Sequence, residues 1–423
     1  MSSAMAWTVV RDALLALAAA PVIYYLIAII AASEFFRARP ASAPDQPLDP
    51  ARSSNQPTDS ARVSNKSIDA AIALQRPLDF FPPVSILKPI RGLDRETYEN
   101  FSSFCRQDYP EFEILFCVSD ESDPAVAVIK KIIADFPGRS IRLLLGAQEI
   151  GVSDKVNKLC RMAREARHEV VIVSDSDVRV APGFLRAVTG PFQDSKVGGV
   201  TCLYRGLTDG GFAADLEALG NSADFAPGVL VARLFGDLDF MLGAVMATTK
   251  KHLAEIGGFE ALADYFCDDY ELGNRIAAGG YRVELSRFPV DIVYPHETLA
   301  DAFRHQLRWN LSIRYSRPWG HAGLIFSNWV PWAVLVGALV SWTTAVAYGV
   351  IALLIRMAMA ASTGFAGMRD RLVLRKVWLL PVRDAFAFVV WVGSFFAQRI
   401  HWRGRLFRVR DKKLVPVAPG NSP

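Results

Sequence analysis

The sequence predicts an α/β protein, a doubly wound sheet flanked on both sides by apolar helices fit for a membrane, and three observations carry that prediction. From Pro82 onward, short apolar runs alternate with amphipathic helical stretches. Residues 13–32 and 322–355 contain no charged side chain. Two of the apolar runs end on an aspartate, and in an open α/β sheet ligands sit beyond the carboxyl ends of the strands.

Residues 13–32 match the roughly 20 residues a helix needs to cross the hydrocarbon core. A cleaved signal peptide carries its positive charge before the apolar run, whereas here Arg37 and Arg39 follow it and only Arg11, beside Asp12, precedes it. The segment 1–38 is therefore expected to be an N-terminal membrane anchor, with the following residues in the cytosol by the positive-inside rule. Residues 39–81 hold an imperfect ten-residue repeat, QPLDPARSSN and then QPTDSARVSN. A repeat so short and polar buries no core, and a disordered low-complexity linker is expected.

The region 82–320 carries the sheet. Strands are expected at 84–87, 112–118, 141–145, 170–173 and 200–203, with helices around 96–105, 125–136 and 155–166 between the first four. That alternation gives a parallel, doubly wound sheet. Asp120, closing EILFCVSD, and Asp175, closing VIVSD, then lie at one rim.

The region 321–398 is expected to meet the membrane again. Its charge-free run 322–355 is 34 residues long, enough for two tightly connected spans or for one span and an interfacial helix. A second run, 385–397, follows Arg383 and Asp384 and has only 13 residues, so an interfacial or re-entrant helix suits it as well as a crossing one. Between Arg356 and Lys376 lie five basic residues against one acid, and between Arg399 and Lys413 seven against one. Both segments favour the cytosolic face, and 399–423 reads as a basic cytosolic tail.

Composition excludes some functions. The 423 residues are 51% hydrophobic with a formal net charge of +4, too small and too scattered a basic balance to argue for nucleic acid. The five cysteines form no CxxC pair for zinc or redox chemistry and read as reduced thiols. Neither GxxxxGK[ST] nor GxGxxG occurs, so the usual phosphate-cradling loops are missing.

A phosphorylated ligand would then need another source of positive charge. Asp175 and Asp177 sit at the mouth of an apolar strand, where two like charges repel and resist burial unless a cation compensates them. Hard oxygen ligands suit Mg2+ or Mn2+, ions commonly shared between carboxylates and substrate phosphates. A second pair, Asp268 and Asp269, opens an apparent helix, where the dipole favours carboxylates and simple capping is the plainer role. FRHQLRWN then sets Arg304, His305, Arg308 and Trp309 at helical spacing ahead of the apolar region, a set that could equally anchor an interface.

Taken in order, PVSILKP at 83–89, Asp120, DSD at 175–177, GGF at 257–259, DDY at 268–270 and the near-(Q/R)xxRW at 305–309 resemble the processive and lipid-directed inverting GT-A glycosyltransferases. The resemblance is closest to the ceramide glucosyltransferase family and its bacterial branch, which includes hopanoid-associated glycosyltransferases. WRGRLFRV at 402–409 also looks like that branch. The resemblance implies a GT-A-like sheet domain in which Asp120 meets the nucleotide's base or ribose. It gives Asp175 and Asp177 the nucleotide and metal, makes Asp269 the general base with Asp268 able to share the role, and closes Arg308 and Trp309 over diphosphate and acceptor. His305 departs from the pattern by standing where Gln or Arg is usual, and Arg304 could supply the missing charge.

The implied activity is a membrane-bound inverting hexosyltransferase that moves a sugar from a UDP-sugar to a membrane lipid hydroxyl, foremost UDP-glucose to ceramide giving glucosylceramide. Alternatives are N-acetylglucosamine transfer to a hopanoid polyol and a polysaccharide synthase. Such a protein would be multi-pass in the cytoplasmic membrane with its sheet domain in the cytosol. The mostly apolar stretch 212–234 could form a lipid-facing flap or ordinary helical core.

Overall fold

The computed structural model describes residues 3–37, 80–295, 298–397, 399–402 and 405–417. Apart from its last two residues, the linker read at 39–81 lies outside the described residues.

Eight strands form one sheet in the order β3-β2-β1-β4-β7-β6-β8-β5. They are β1 (Val84–Pro89), β2 (Phe112–Val118), β3 (Ser140–Leu145), β4 (Val170–Ser174), β5 (Val178–Arg179), β6 (Val197–Leu207), β7 (Val245–Thr249) and β8 (Arg282–Val293). All the strands expected from the sequence are present, and β1 to β4 are mutually parallel, with Val84 of β1 opposite Phe112 of β2 and Val170 of β4. Every residue of β1, β2 and β4 is buried, as strands covered on both faces require. The second half of the sheet differs from the all-parallel expectation. β7 runs antiparallel to both β4 and β6, and β5 antiparallel to β8.

The sheet must curl, and the chain itself shows why. β4 and β5 are separated only by Asp175, Ser176 and Asp177, yet three strands lie between them in the order. Four strand spacings in a flat sheet come to roughly 19 Å, whereas the four residue steps from Ser174 to Val178 reach at most about 14 Å. The half containing β6 and β8 therefore folds back over the end of β4. Register shifts in the β6–β8 pairing between Val197 and Gly199 and between Cys202 and Tyr204 provide the bend. The aspartate pair thus crosses the inside of the curl.

Among the described residues, three helical stretches are long and apolar enough to cross a bilayer: Met5–Arg37, Trp342–Gly367 and Arg371–Phe396. A further pair, Pro318–Ser327 and Trp329–Leu339, is bent by 60° and could form a fourth, broken span. The run 385–397 is thus no isolated short helix. It ends a 26-residue helical stretch, because Arg383 and Asp384 are buried and paired within the protein instead of breaking the helix.

Residues 212–234 form helix Phe212–Gly220, a π-turn Asn221–Phe225 and helix Ala226–Leu234. Most of them are buried, so this stretch is mainly helical core, with Phe225 only partly covered. Val231 and Tyr24 join one apolar cluster with Tyr25 and Met359, so the same stretch touches the N-terminal and C-terminal membrane helices. Residues 400–416, read as tail, form a second sheet of β9 (Ile400–Trp402), β10 (Arg405–Arg410) and β11 (Lys413–Pro416). It docks on the segment before Asp268, where Phe266 N donates to Lys412 O at 3.0 Å and Leu414 N to Asp264 O at 2.8 Å.

Candidate active site

The site is built where the curl brings strand ends and a helix start together. Asp175 leaves β4 and Asp268 and Asp269 open helix Asp268–Ala278, after a segment held by the second sheet. Between them stands Lys155, from the first turn of helix Asp154–Glu165, whose N-cap Ser153 accepts from Val156 N. Its Nζ lies 2.9 Å from Asp175 Oδ1 and 3.4 Å from Asp268 Oδ2. Burial alone would lower the Lys155 ammonium, but Asp175 and Asp268 outweigh it and hold the lysine above its ordinary range.

The other member of each pair has no such partner. Burial, with the charges of Asp175 and Asp94 added, pushes the Asp177 carboxyl up to about 7. Burial and the adjacent Asp268 raise Asp269 to about 6 against the pull of Lys155. Asp269 Oδ1 accepts from Tyr270 N at 2.8 Å. Its Oδ2 lies 3.0 Å from where a Cβ on Gly243 would stand, and Asp175 Oδ2 lies 3.8 Å from the same point. Asp269 and Asp175 therefore face each other across a residue that offers no side chain.

A second lysine supports the floor. Lys88 ends β1 fully buried, donates to Asp175 O at 2.8 Å and sits 3.8 Å from the centre of the Phe104 ring. Burial lowers its ammonium to about 7 despite Asp175 and Asp177 nearby. Asp120 occupies the same rim, beyond β2, which flanks β1 opposite β4. It is exposed, and Ser122 N donates to its Oδ1 at 2.9 Å; the Ser122 side chain and backbone bonds hold its carboxyl below the usual range.

The opposite wall is aromatic. Tyr204 stacks on Phe225 with centroids 4.8 Å apart, and Trp309 stands edge-on to Tyr204 at 6.1 Å. Burial, followed by Tyr294 and the charges of Asp269, Asp175 and Asp177, drives the Tyr204 hydroxyl far up. Arg308 and Trp309 lie on helix Leu299–Ser316, started by a capping box between Thr298 and Asp301. His305 turns toward buried Glu217, Nδ1 to Oε1 3.1 Å, and Gln306 Nε2 donates to the same oxygen at 2.8 Å. Arg304 does not replace the missing cation of the motif, because it faces solvent and pairs with Asp301.

Sequence reasoning missed Lys88, Lys155, Gly243 and the Tyr204–Phe225 stack. Lys88 carried a signal, a lysine following the mostly apolar run VSIL, and Lys155 stood in a first helical turn that reads as solvated. For a metal, the fit is that of a pair and not of a cage: among the described residues no group of three or more His, Cys, Asp or Glu converges. Asp175 and the charge-starved Asp177 still suit Mg2+ or Mn2+, which commonly take one or two carboxylates and complete their shell with substrate phosphates and water.

The chain is 30% identical over 229 residues to ceramide glucosyltransferase 1 of Caenorhabditis elegans, covering 54% of this chain and 49% of that one. It is 31% identical over 134 residues to a ceramide glucosyltransferase of Gibberella zeae, covering 29% and 25%. The chain thus spans about half the length of the C. elegans relative and less of the fungal one. A mannosyltransferase from Pyrobaculum calidifontis, solved with GDP-Man and Mn2+, superposes with a TM-score of 0.50 at 18% identity over 91% of this chain and 99% of that one, a likeness of fold. The fold is accordingly GT-A-like. The profile of Glycosyl transferase family 21 matches residues 60–415, and the chain belongs to that family.

Proposed function

We propose that this protein is a membrane-bound inverting glycosyltransferase that moves glucose from UDP-glucose to the primary hydroxyl of ceramide. The observation that carries the reading is the division of labour within the acidic pair. Asp268 is paired with Lys155, whereas Asp269 faces the cleft with its carboxyl raised to about 6, near the value a general base needs at neutral pH. The acceptor hydroxyl gives its proton to Asp269 as its oxygen bonds to the anomeric carbon. The bond from that carbon to the diphosphate oxygen breaks on the opposite face, and UDP leaves with the electron pair.

Asp175 and Asp177 would hold Mg2+ or Mn2+ against the diphosphate, where the ion neutralises charge on the leaving group. Arg308 adds a fixed cation on the same side of the reaction and Trp309 closes over the acceptor, while Asp120 at the rim suits the nucleoside. The lipid class is supported by the aromatic wall, since Phe225 ends a π-turn whose flanking helix packs on membrane helices. The same topology favours a multi-pass protein of the cytoplasmic membrane with the sheet in the cytosol.

The test is direct. Purified protein in detergent, given UDP-glucose and ceramide, is expected to form glucosylceramide of β configuration by mass spectrometry and NMR. Retention of the α configuration would remove the single-displacement chemistry. Transfer of N-acetylglucosamine to a hopanoid polyol with no reaction on ceramide would replace donor and acceptor, and a polymeric product would replace the whole reading with a polysaccharide synthase.

A further inference from the structure

An arginine inside an apolar helix is costly unless it has a task. Arg383 lies in the stretch Arg371–Phe396, is 5% exposed, and reaches two elements of the site at once. Its Nε donates to Asp224 Oδ2 at 2.7 Å, and its Nη2 donates to Gln306 Oε1 at 3.1 Å. Asp224 is the residue before Phe225 in the π-turn; Gln306 stands one helical turn before Trp309. One guanidinium therefore ties together the two backbones that present Phe225 and Trp309, whose rings stand 6.4 Å apart at 50°.

The surroundings are shaped to keep it there. A Cβ on Gly220 would come within 2.5 Å of the Arg383 guanidinium carbon, so only glycine leaves room. Arg356, from Trp342–Gly367, also reaches Asp224 and pairs with Asp384 at 2.9 Å, so Asp224 is clamped from two membrane helices. A π-turn widens the helix by one residue and recurs at functional positions. Here it turns Phe225 onto Tyr204, a buried ring of β6.

We propose that Arg383 is a positioning residue that sets the spacing of Phe225 and Trp309, and that these two rings with Tyr204 form the cleft that receives the lipid acceptor at the junction of its polar head and apolar body. This rests on the functional reading above and adds the acceptor-side residues to it. The planar fork is essential to the assignment, because a lysine would keep the charge but satisfy only one of the two partners.

The experiment uses the full chain in detergent micelles, with short-chain ceramide as the acceptor probe. Arg383→Lys is expected to raise the KM for short-chain ceramide about tenfold, the scale of losing one well-placed aromatic contact of about 1.4 kcal/mol, while the KM for UDP-glucose stays within about twofold. Asp224→Asn should give the same split with at least as large a rise, because it also weakens the Arg356 contact, and the double variant should lose less than the product of the singles, because they share the Arg383–Asp224 bond. If Arg383→Lys does not accumulate as folded protein, Phe225→Ala carries the test: it should raise the acceptor KM alone, and Phe225→Tyr should restore it. An unchanged acceptor KM, or a donor KM rising in parallel, overturns the proposal. Wild-type protein that forms no glucosylceramide refutes the functional reading and this inference with it, whereas an active wild type with unaffected variants refutes the inference alone.

Discussion

Two aspartate pairs converge on this site, and they solve the same electrostatic problem in the same way from different elements. Asp175 and Asp177 bridge two strands; Asp268 and Asp269 open a helix. In each pair one carboxylate lies against Lys155, and the other is left half-buried with a raised affinity for a proton, Asp177 to about 7 and Asp269 to about 6. A single lysine thus sets one carboxylate of each pair apart from its neighbour. The difference between the leftover members is their setting: Asp177 lies within the acidic crossing of the curl, and Asp269 faces Asp175 across Gly243.

The sharpest way to break this comparison is to treat the leftover members alike. Asp269→Asn is expected to lower kcat by about 10² to 10⁴ with UDP affinity by calorimetry nearly unchanged, because proton transfer occurs only in the transition state. Loss of nucleotide binding in that variant would move the base assignment to Asp268. Chelation should act on the other pair: EDTA is expected to lower transfer on the order of 10²-fold, and added Mg2+ or Mn2+ to restore it, with full activity in EDTA removing the metal from Asp175 and Asp177.

Smaller effects sharpen the picture. Arg308→Ala should raise the KM for UDP-glucose and lower kcat by about tenfold each, since its cation meets a diphosphate already charged in the ground state. The smallest change concerns pH. A base must shed its proton to work, so kcat/KM should fall as pH drops through about 6. Lys155 favours the ionised form of Asp269, and Lys155→Met should move that limb upward by about one pH unit. A limb that stays in place in this variant would show that Lys155 does not separate the two carboxylates.

Part of this was legible in the sequence because charge at the end of an apolar run is conspicuous. VIVSDSD and EILFCVSD announced both the strands and the rim, and DDY announced a helix start. The later strands were not legible. β8 reads RVELSRFPVDIV, whose polar residues and Pro289 mask a strand that bends around the curl, and β7 is only five residues long. Arg383 and Asp384 looked like the edge of an apolar run because their partners, Asp224, Gln306 and Arg356, are remote in sequence. Lys155 was passed over for the same reason, since its pairing with Asp268 exists only once the sheet has curled.

The second sheet has a consequence for the order of assembly. Chains leave the ribosome from the N-terminus at a pace slow enough for early elements to settle first. The strands of the large sheet and the helix that starts at Asp268 are complete long before Lys412 and Leu414 are made. The segment around Asp264 and Phe266, just ahead of both aspartates, is held by early residues through Val152 N donating to Asp264 Oδ1 and Phe266 packing on Leu311 and Tyr315, and it gains its hydrogen bonds to Lys412 and Leu414 and its contact with Phe407 only at the end. A nascent chain therefore carries this acidic turn without its last fastenings through roughly the final third of its synthesis, until the distal hairpin arrives.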